Sequence, residues 1–308
     1  MDLIVQTGHA CCVKTPTQSK DPVPGPAMAD ASFQAHYPSR DPYDHHVGRY
    51  SPELASALIA VAGVERGQRA LDVGCGTGAL AEALAAVLGA DSVAAIDPSQ
   101  ASVDRCTRRV PGADVRVGRA EGLPFGDGKF DAALAQLVVP WMSHPARGVA
   151  EMRRVVRPGG VVAACTWDFA SGMTMLRTFW DAAVAVDRRK ATQAGALTRT
   201  RLCDPDELRE LWARIGLLEI DAGELVVGAD YADFDDFWWP FAAGVGGSGS
   251  YCASLDEAGR EALREEVRRR LGSPTGPFRL TARAWYVRGR RPDADRATTQ
   301  RSKEATWR

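Results

Sequence analysis

Apolar residues recur along this chain in two rhythms. From Ser51 onward, Leu54, Leu58, Ile59 and Ala62 fall on one face at the helical period, with Ser51 as N-cap and Pro52 at the first helical position. Short β-rich runs then alternate with longer helical ones: strands at 70–73, 92–97, 114–117, 130–136 and 161–167, and helices at about 78–88, 99–110 and 145–156. Strands separated by helices in this way predict βαβ units, a parallel sheet and right-handed crossovers. After Trp167 the rhythm changes. A helix is expected over 173–186, and another opens at Asp204 with Leu208, Leu211, Trp212 and Ile215 on its apolar face. Further strands are expected at 217–227 and 280–287. Between those two strands lie an aromatic segment (Phe234, Phe237, Trp238, Trp239, Phe241), a loop of Gly244, Gly246, Gly247 and Gly249, and a charged helix over about 255–271. Glu261 with Arg264 and Glu265 with Arg268 stand there at i,i+3, the spacing of a solvated face.

The fold class expected is therefore α/β, a doubly wound, seven-stranded, mostly parallel sheet with a small helical cap built from insertions. Residues 43–168 form the core, 169–203 a first cap insertion, and 204–230 a core helix and strand. Residues 231–277 form a second cap insertion and 278–291 the last core strand. The first 42 residues carry Pro16, Pro22, Pro24, Pro26 and Pro38 among polar residues and read as a disordered tail, as does 292–308. Met28 is an alternative start within the first tail. A length of 308 residues suits one such domain with additions.

Composition narrows the function classes. With 45% hydrophobic and 25% charged residues the chain is neither disordered throughout nor fibrous. Its 38 basic and 39 acidic residues leave no field to draw nucleic acid or an anionic membrane. No apolar run reaches membrane-spanning length and no basic-then-apolar leader opens the chain, so a cytoplasmic protein is expected. The seven cysteines show neither a disulfide framework nor zinc-ligand spacing and read as mostly buried thiols.

The strongest chemical signal is Leu71-Asp72-Val73-Gly74-Cys75-Gly76-Thr77-Gly78, where a buried strand enters a glycine-rich turn and then a helix. Such glycines take positive φ and let a ligand approach the backbone, while the helix start offers unpaired N–H groups. Gly74, Gly76 and Ala79 also satisfy the dinucleotide fingerprint, and Asp97, about 20 residues on, suits a ribose in either case. Spacing alone therefore leaves an NAD(P)-binding oxidoreductase open.

The D-x-G-x-G-x-G form centred on Asp72 is followed by Ala120-Glu121-Gly122-Leu123-Pro124-Phe125, Phe130-Asp131-Ala132 and Arg153-Arg154-Val155-Val156-Arg157-Pro158-Gly159-Gly160. This ordered set resembles class I S-adenosylmethionine-dependent methyltransferases, most of all their ubiquinone-biosynthesis-like small-molecule subgroup. The resemblance covers about 43–168 and continues loosely at Thr281-Ala282-Arg283-Ala284-Trp285. It implies S-adenosyl-L-methionine as cofactor and S-adenosyl-L-homocysteine as product. It also implies that Asp72 orders the loop near the methionine amino group, that the Gly74-Cys75-Gly76 turn and Gly78 seat the methionine and ribose, and that Asp97 binds the ribose hydroxyls. Pro98 then packs near the adenine, Ala120 and Glu121 form the adenine-edge wall, and Gln136 ends the fourth strand beside the methionine. Arg119 stands where many relatives have an acid. Arg49, in Val47-Gly48-Arg49-Tyr50-Ser51, either approaches the methionine carboxylate or makes a salt bridge or cap.

Methyl transfer from a sulfonium is an in-line displacement with a neutral leaving group, so positioning and desolvation supply much of the acceleration and no metal is required. For a hydroxyl or acidic-carbon acceptor the candidate bases are His144, after strand four, and Asp168, at the end of strand five, each with a capping role as the alternative. His45 or His46 is a further candidate, but adjacent histidines share no face for a metal. Trp180 beside Phe179, with Phe237, Trp238 and Trp239, suits a pocket for a lipophilic or aromatic small molecule, the alternative being that these rings pack the insertion. The glycine loop at 244–249 is a candidate lid hinge, and an apolar face on the insertion serves either a lid or a homo-oligomer. A catalytically silent S-adenosylmethionine-binding module is the remaining alternative.

Overall fold

The computed structural model describes residues 44–195 and 200–293. The expected N-terminal tail with Met28, and nearly all of the C-terminal one, lie outside the described residues. After a 3-10 turn at Val47–Tyr50 come α1 (Ser51–Ala62), β1 (Ala70–Val73), α2 (Ala79–Leu88), β2 (Val93–Asp97), α3 (Gln100–Arg109), β3 (Asp114–Val117), β4 (Phe130–Gln136), α4 (Pro145–Val155) and β5 (Val156–Trp167). Then follow α5 (Thr174–Gln193), α6 (Pro205–Arg214), β6 (Leu218–Tyr231), α7 (Phe234–Ala242), α8 (Gly246–Ala253), α9 (Glu257–Arg270) and β7 (Phe278–Arg290).

The seven strands hydrogen-bond in the order β3-β2-β1-β4-β5-β7-β6. β1 to β5 run parallel, whereas β7 runs antiparallel to both β5 and β6. Strand order reverses between β1 and β4, the switch point at which open α/β sheets bind ligands beyond their carboxyl ends. Alternating side chains feed two apolar layers. Ala70, Ala132 and Ala163 face one layer with Leu54 and Leu58 of α1, Leu84 of α2 and Phe179 of α5. Leu71, Val73 and Val162 face the other with Val149 and Met152 of α4 and Trp212 of α6. Each such leucine removed from water contributes about 1.5–3 kcal/mol, and the buried Trp212 also donates Nε1–H to the Val162 carbonyl at 3.0 Å.

Several local expectations are corrected. Ser51 is the first residue of α1 rather than its N-cap, a position held by Tyr50, and no side chain caps that end. α5 runs on to Gln193 through a break at Asp187, where φ is −149° and ψ 91°. The glycine run expected as a loop opens α8, because Gly246, Ser248, Gly249, Tyr251 and Cys252 are buried there. Packing at this point outweighs the poor intrinsic helix preference of glycine.

Candidate active site

The chain turns sharply after β1 because Gly74 and Cys75 both donate their N–H groups to the Ile96 carbonyl, each at 2.8 Å. Gly74 has φ +79°, and a Cβ there would lie 2.5 Å from Cγ2 of Val138. Gly76 has φ +51° and open space where a Cβ would project. One glycine is therefore required by close packing, while the other leaves the cavity wall flat for a ligand. Asp97 holds the turn from β2: its Oδ2 accepts from Gly76 N–H at 3.0 Å and its Oδ1 from Ser99 N–H at 2.9 Å. Burial pushes its pKa up, against the pull of these backbone donors.

A cavity of about 750 Å³ opens along the carboxyl ends of the strands. The sheet order lays it out from one side to the other. Gly118 to Glu121 after β3, Asp97 to Ser99 after β2 and the turn from Gly74 to Thr77 form one end. Asp72 and Gln136 stand at the middle. Trp167 and Phe169 after β5, Leu176, Arg177 and Trp180 of α5, and Gly246 to Ser248 of α8 form the other end.

Asp72 is 1% exposed, and neither carboxylate oxygen makes a well-formed hydrogen bond. Burial raises its pKa well above the ordinary carboxylate value, with Cys106 and Asp97 adding to the effect and the Ala81 N–H offsetting it in part. A buried anion without partners suits a cationic ligand group such as an amino-acid ammonium. Gln136 donates Nε2–H to the Ser51 carbonyl at 3.1 Å and keeps a buried, unpaired Oε1. The Cys75 thiol lines the cavity and is hydrogen-bonded to the Cys106 thiol. His46, 2% exposed, also lines it, and burial followed by the charge of Arg49 lowers its pKa to about 3, so the ring is neutral. Together, the orphaned Asp72 carboxylate, the open side of Gly76 and the Asp97 carboxylate fit the amino-acid and ribose portions of S-adenosylmethionine.

Of the residues singled out in the sequence, Asp72, Gly74, Cys75, Gly76, Asp97, Pro98, Ala120, Glu121, Gln136 and Trp180 all line this one cavity. Others are placed elsewhere, and each has a physical reason. Arg49 grips both oxygens of Asp236 at 2.8 and 3.0 Å, donates to the Asp230 and His45 carbonyls, and lies over the Tyr231 ring, which fixes the entry turn to β6 and α7. Gly78 faces α3, where a Cβ would meet the Cys106 backbone at 3.1 Å, so its smallness serves helix packing.

The two expected bases are likewise displaced. His144 is exposed at the start of α4 and contributes its backbone N–H to Glu121 Oε1 at 3.0 Å. Asp168, 2% exposed, accepts from the Ala170 and Ser171 N–H groups, the Ser171 hydroxyl and two nitrogens of Arg283 at 3.0 and 2.7 Å. Burial opposes its ionisation, but Arg283 and the Ser171 donors hold its pKa below the ordinary value. It closes the β5–α5 turn onto β7 and does not line the cavity.

Phe237 and Trp238 are buried in a ring cluster with Phe179, Phe234 and Phe241, whose centroids lie 4.5–6.4 Å apart, while Trp239 is 44% exposed beside His45. These rings pack the cap, and of the four aromatic residues expected at the acceptor only Trp180 faces the cavity. Sequence reasoning missed Trp141, Phe169, Leu176 and Arg177, and it read the start of α8 as a lid hinge, where the structure has it lining the cavity. Leu176 and Arg177 stand one helical turn before Trp180 and were accessible from that spacing. Phe169 follows the carboxyl end of β5, another readable cue.

Residues 71–164 match the family model described as a methyltransferase domain. The chain is 41% identical over 124 residues to phthiotriol/phenolphthiotriol dimycocerosates methyltransferase 1 of Mycobacterium ulcerans, a match covering 40% of this chain and 44% of that one. It is 35% identical over 153 residues to the malonyl-[acyl-carrier protein] O-methyltransferase of Pseudescherichia vulneris, covering 48% and 56%. The chain thus spans about a third to little more than half of the length of the curated relatives it matches. Among solved structures, a protein of Anabaena variabilis assigned as a methyltransferase from an antibiotic biosynthesis pathway superposes with a TM-score of 0.52 at 18% identity. That superposition covers 76% of this chain and 96% of the other, a likeness of fold. Residues 71–164 are thus matched to a methyltransferase domain of the class that uses S-adenosylmethionine.

Proposed function

We propose that this protein transfers the methyl group of S-adenosylmethionine to a small apolar or aromatic acceptor. The observation that carries the reading is the continuity of one cavity from the glycine turn, Asp72 and Asp97 to a wall of Trp167, Phe169, Leu176 and Trp180. When bound, S-adenosylmethionine supplies an electrophilic methyl carbon on a positively charged sulfur. Asp72 offers its carboxylate to the cationic amino-acid end. Asp97 keeps the turn in place through Gly76 and Ser99, with the Ser102 side chain a third donor, and its carboxylate has acceptor capacity left for a hydroxyl. Gln136, tied to α1 through the Ser51 carbonyl, presents Oε1 near the middle of the cavity. The aromatic wall holds the acceptor in line and excludes water, so positioning and desolvation provide most of the acceleration. Among the described residues, Asp168 and His144 do not line the cavity, whereas the titratable side chains of His46 and Arg177 do line its acceptor end.

Among the described residues, no helix is long and apolar enough to cross a membrane. Calorimetry with S-adenosylmethionine and with a nicotinamide dinucleotide tests the cofactor. Binding of the dinucleotide alone would overturn the reading. Release of S-adenosylhomocysteine across a panel of lipophilic and aromatic metabolites tests the reaction, and absence of release from any of them favours the silent binding module.

A further inference from the structure

We propose that the acceptor carries an ionised oxygen, a carboxylate or phenolate, on its apolar body, and that the start of α8 with Trp167, His46 and Arg177 receives that oxygen. The proposal rests on the methyl-transfer reading and adds to it the chemical class of the acceptor.

α8 begins inside the cavity. Gly246, Gly247 and Ser248 line it, and the N-cap residue Val245 provides no side-chain acceptor. The first helical N–H groups have no partner within the helix and carry the positive end of its dipole. Val245 accepts from Gly249 N–H at 3.0 Å, so the unpaired donors are those nearer the cavity.

Two buried side chains point independently to a missing partner. Trp167 is 4% exposed, lines the cavity and has no acceptor for its Nε1–H. His46 is 2% exposed, lines the cavity and leaves Nδ1 unpaired, a nitrogen that donates in the tautomer with its proton there. Its ring meets that of Phe241 edge-on at 4.9 Å, and the chain passes from Phe241 through Gly244 directly into α8. From the opposite side, α5 brings Arg177 to the same wall, and Trp180 meets Tyr251 of α8 at 5.5 Å. Among the described residues, Arg177 pairs with Asp181 through Nη2 at 2.8 Å, and its guanidinium carries further N–H groups toward the cavity wall it helps to form.

This end of the cavity therefore has an excess of donors. Among the described residues, the carboxylates that line the cavity, Asp72, Asp97 and Glu121, belong to β1, to the end of β2 and to the segment after β3, on the cofactor side of Gln136. Unpaired buried donors are costly and an anionic oxygen satisfies several at once, whereas a cationic acceptor would meet the same groups unfavourably. Phe169, Leu176 and Trp180 supply the apolar contact for the body of the molecule.

The test uses calorimetry on the full chain saturated with S-adenosylhomocysteine, with 2-naphthoate, 2-naphthamide and 2-naphthylmethylammonium as probes. The carboxylate is expected to bind about tenfold tighter than the amide or better, with the ammonium weakest. Trp167→Phe and Arg177→Gln are each expected to weaken naphthoate about fivefold while leaving naphthamide within about twofold. Gly247→Pro removes one first-turn N–H at a position that tolerates proline and is expected to behave alike; should it fail to fold, the two side-chain variants decide. Equal binding of naphthoate and naphthamide, or no naphthoate binding to protein that holds S-adenosylhomocysteine, overturns the proposal and leaves methyl transfer standing. Failure of S-adenosylhomocysteine itself to bind overturns the methyl-transfer reading and this inference with it.

Discussion

Replacing Asp72 by Asn separates the cost of the site from its use. In the ligand-free protein a carboxylate 1% exposed and without a good hydrogen bond opposes folding. Its native pKa is raised by burial and by Cys106 and Asp97, so the folded state binds the proton more tightly than the unfolded chain. Stability therefore falls as pH rises from the ordinary carboxylate value, about 3.9, through the raised native one. Above that window the variant is relieved of the charge. An unsatisfied buried polar group costs about 1–3 kcal/mol and a charged one more. With about 2–4 °C per kcal/mol for a domain of this size, Asp72→Asn is expected to melt several degrees above the native protein when both are ligand-free. The same change removes the charge partner of the cofactor ammonium, an interaction of about 1.5–3 kcal/mol, or roughly ten- to 150-fold in Kd. Scanning fluorimetry without ligand and calorimetry with S-adenosylmethionine read the two effects. Native affinity is also expected to rise with pH across the same window, since binding selects the ionised carboxylate. A variant that melts lower and binds the cofactor as tightly as the native protein would refute the reasoning, for Asp72 would then be a satisfied core residue.

Asp168→Asn is expected to lower stability by about 1–3 kcal/mol, the Arg283 side of the pair being 33% exposed and so partly screened, while kcat of the folded enzyme is retained. Its lowered native pKa means this contribution is complete above the ordinary carboxylate value and is lost as pH falls through the depressed one, which acid unfolding of the two proteins measures. His144→Ala is expected to leave turnover unchanged, and a large loss of kcat would restore it as a base. Gly74→Ala combines a left-handed φ of +79° with a 2.5 Å approach to Val138; it is expected to cost about 1–3 kcal/mol from overpacking alone and to weaken S-adenosylmethionine in the same titration. Trp180→Ala is expected to lower kcat/KM for the acceptor about tenfold or more, from lost apolar contact, with cofactor Kd unchanged.

The sheet was legible where burial on both faces makes a strand one continuous apolar run. β1 and β4 have the bounds that the pattern predicts, and so does β3, an exposed edge strand marked instead by Val115 and Val117 alternating with Asp114 and Arg116. Legibility failed where charges are spent on tertiary pairs. β6 and β7 extend to Tyr231 and Phe278, and ion pairs such as Asp230 with Arg279 and Asp221 with Arg288 bridge the two strands; read locally, those charges mark the ends of strands. β5 begins at Val156, earlier than its apolar run, because the pairing with β4 shifts register between Phe130/Val156 and Ala132/Val161 and the segment Arg157-Pro158-Gly159-Gly160 bulges out. α8 escaped notice because four glycines within 244–249 argue against a helix in isolation.

The site divides along the same line. The glycine turn is a local device, so its spacing identifies it; the role of a carboxylate is set by donors that arrive from elsewhere in the fold. Asp72, Asp97 and Asp168 each belong to or follow a strand of the same sheet, and although the glycine motif singles out Asp72, nothing in their immediate sequence shows how far each is already paired. Asp168 is saturated by its own turn and by Arg283, which lies 115 residues away. Asp97 is half-committed to Gly76 and Ser99, and Asp72 has no well-formed partner at all. A carboxylate already held by an arginine has little affinity left for a ligand, whereas one desolvated and unpaired gains most from a cation. Hydrogen-bond saturation therefore orders the three acids by how much acceptor capacity each has left, with Asp168 least, Asp97 intermediate and Asp72 most, and it is Asp72 and Asp97, not Asp168, that line the cavity.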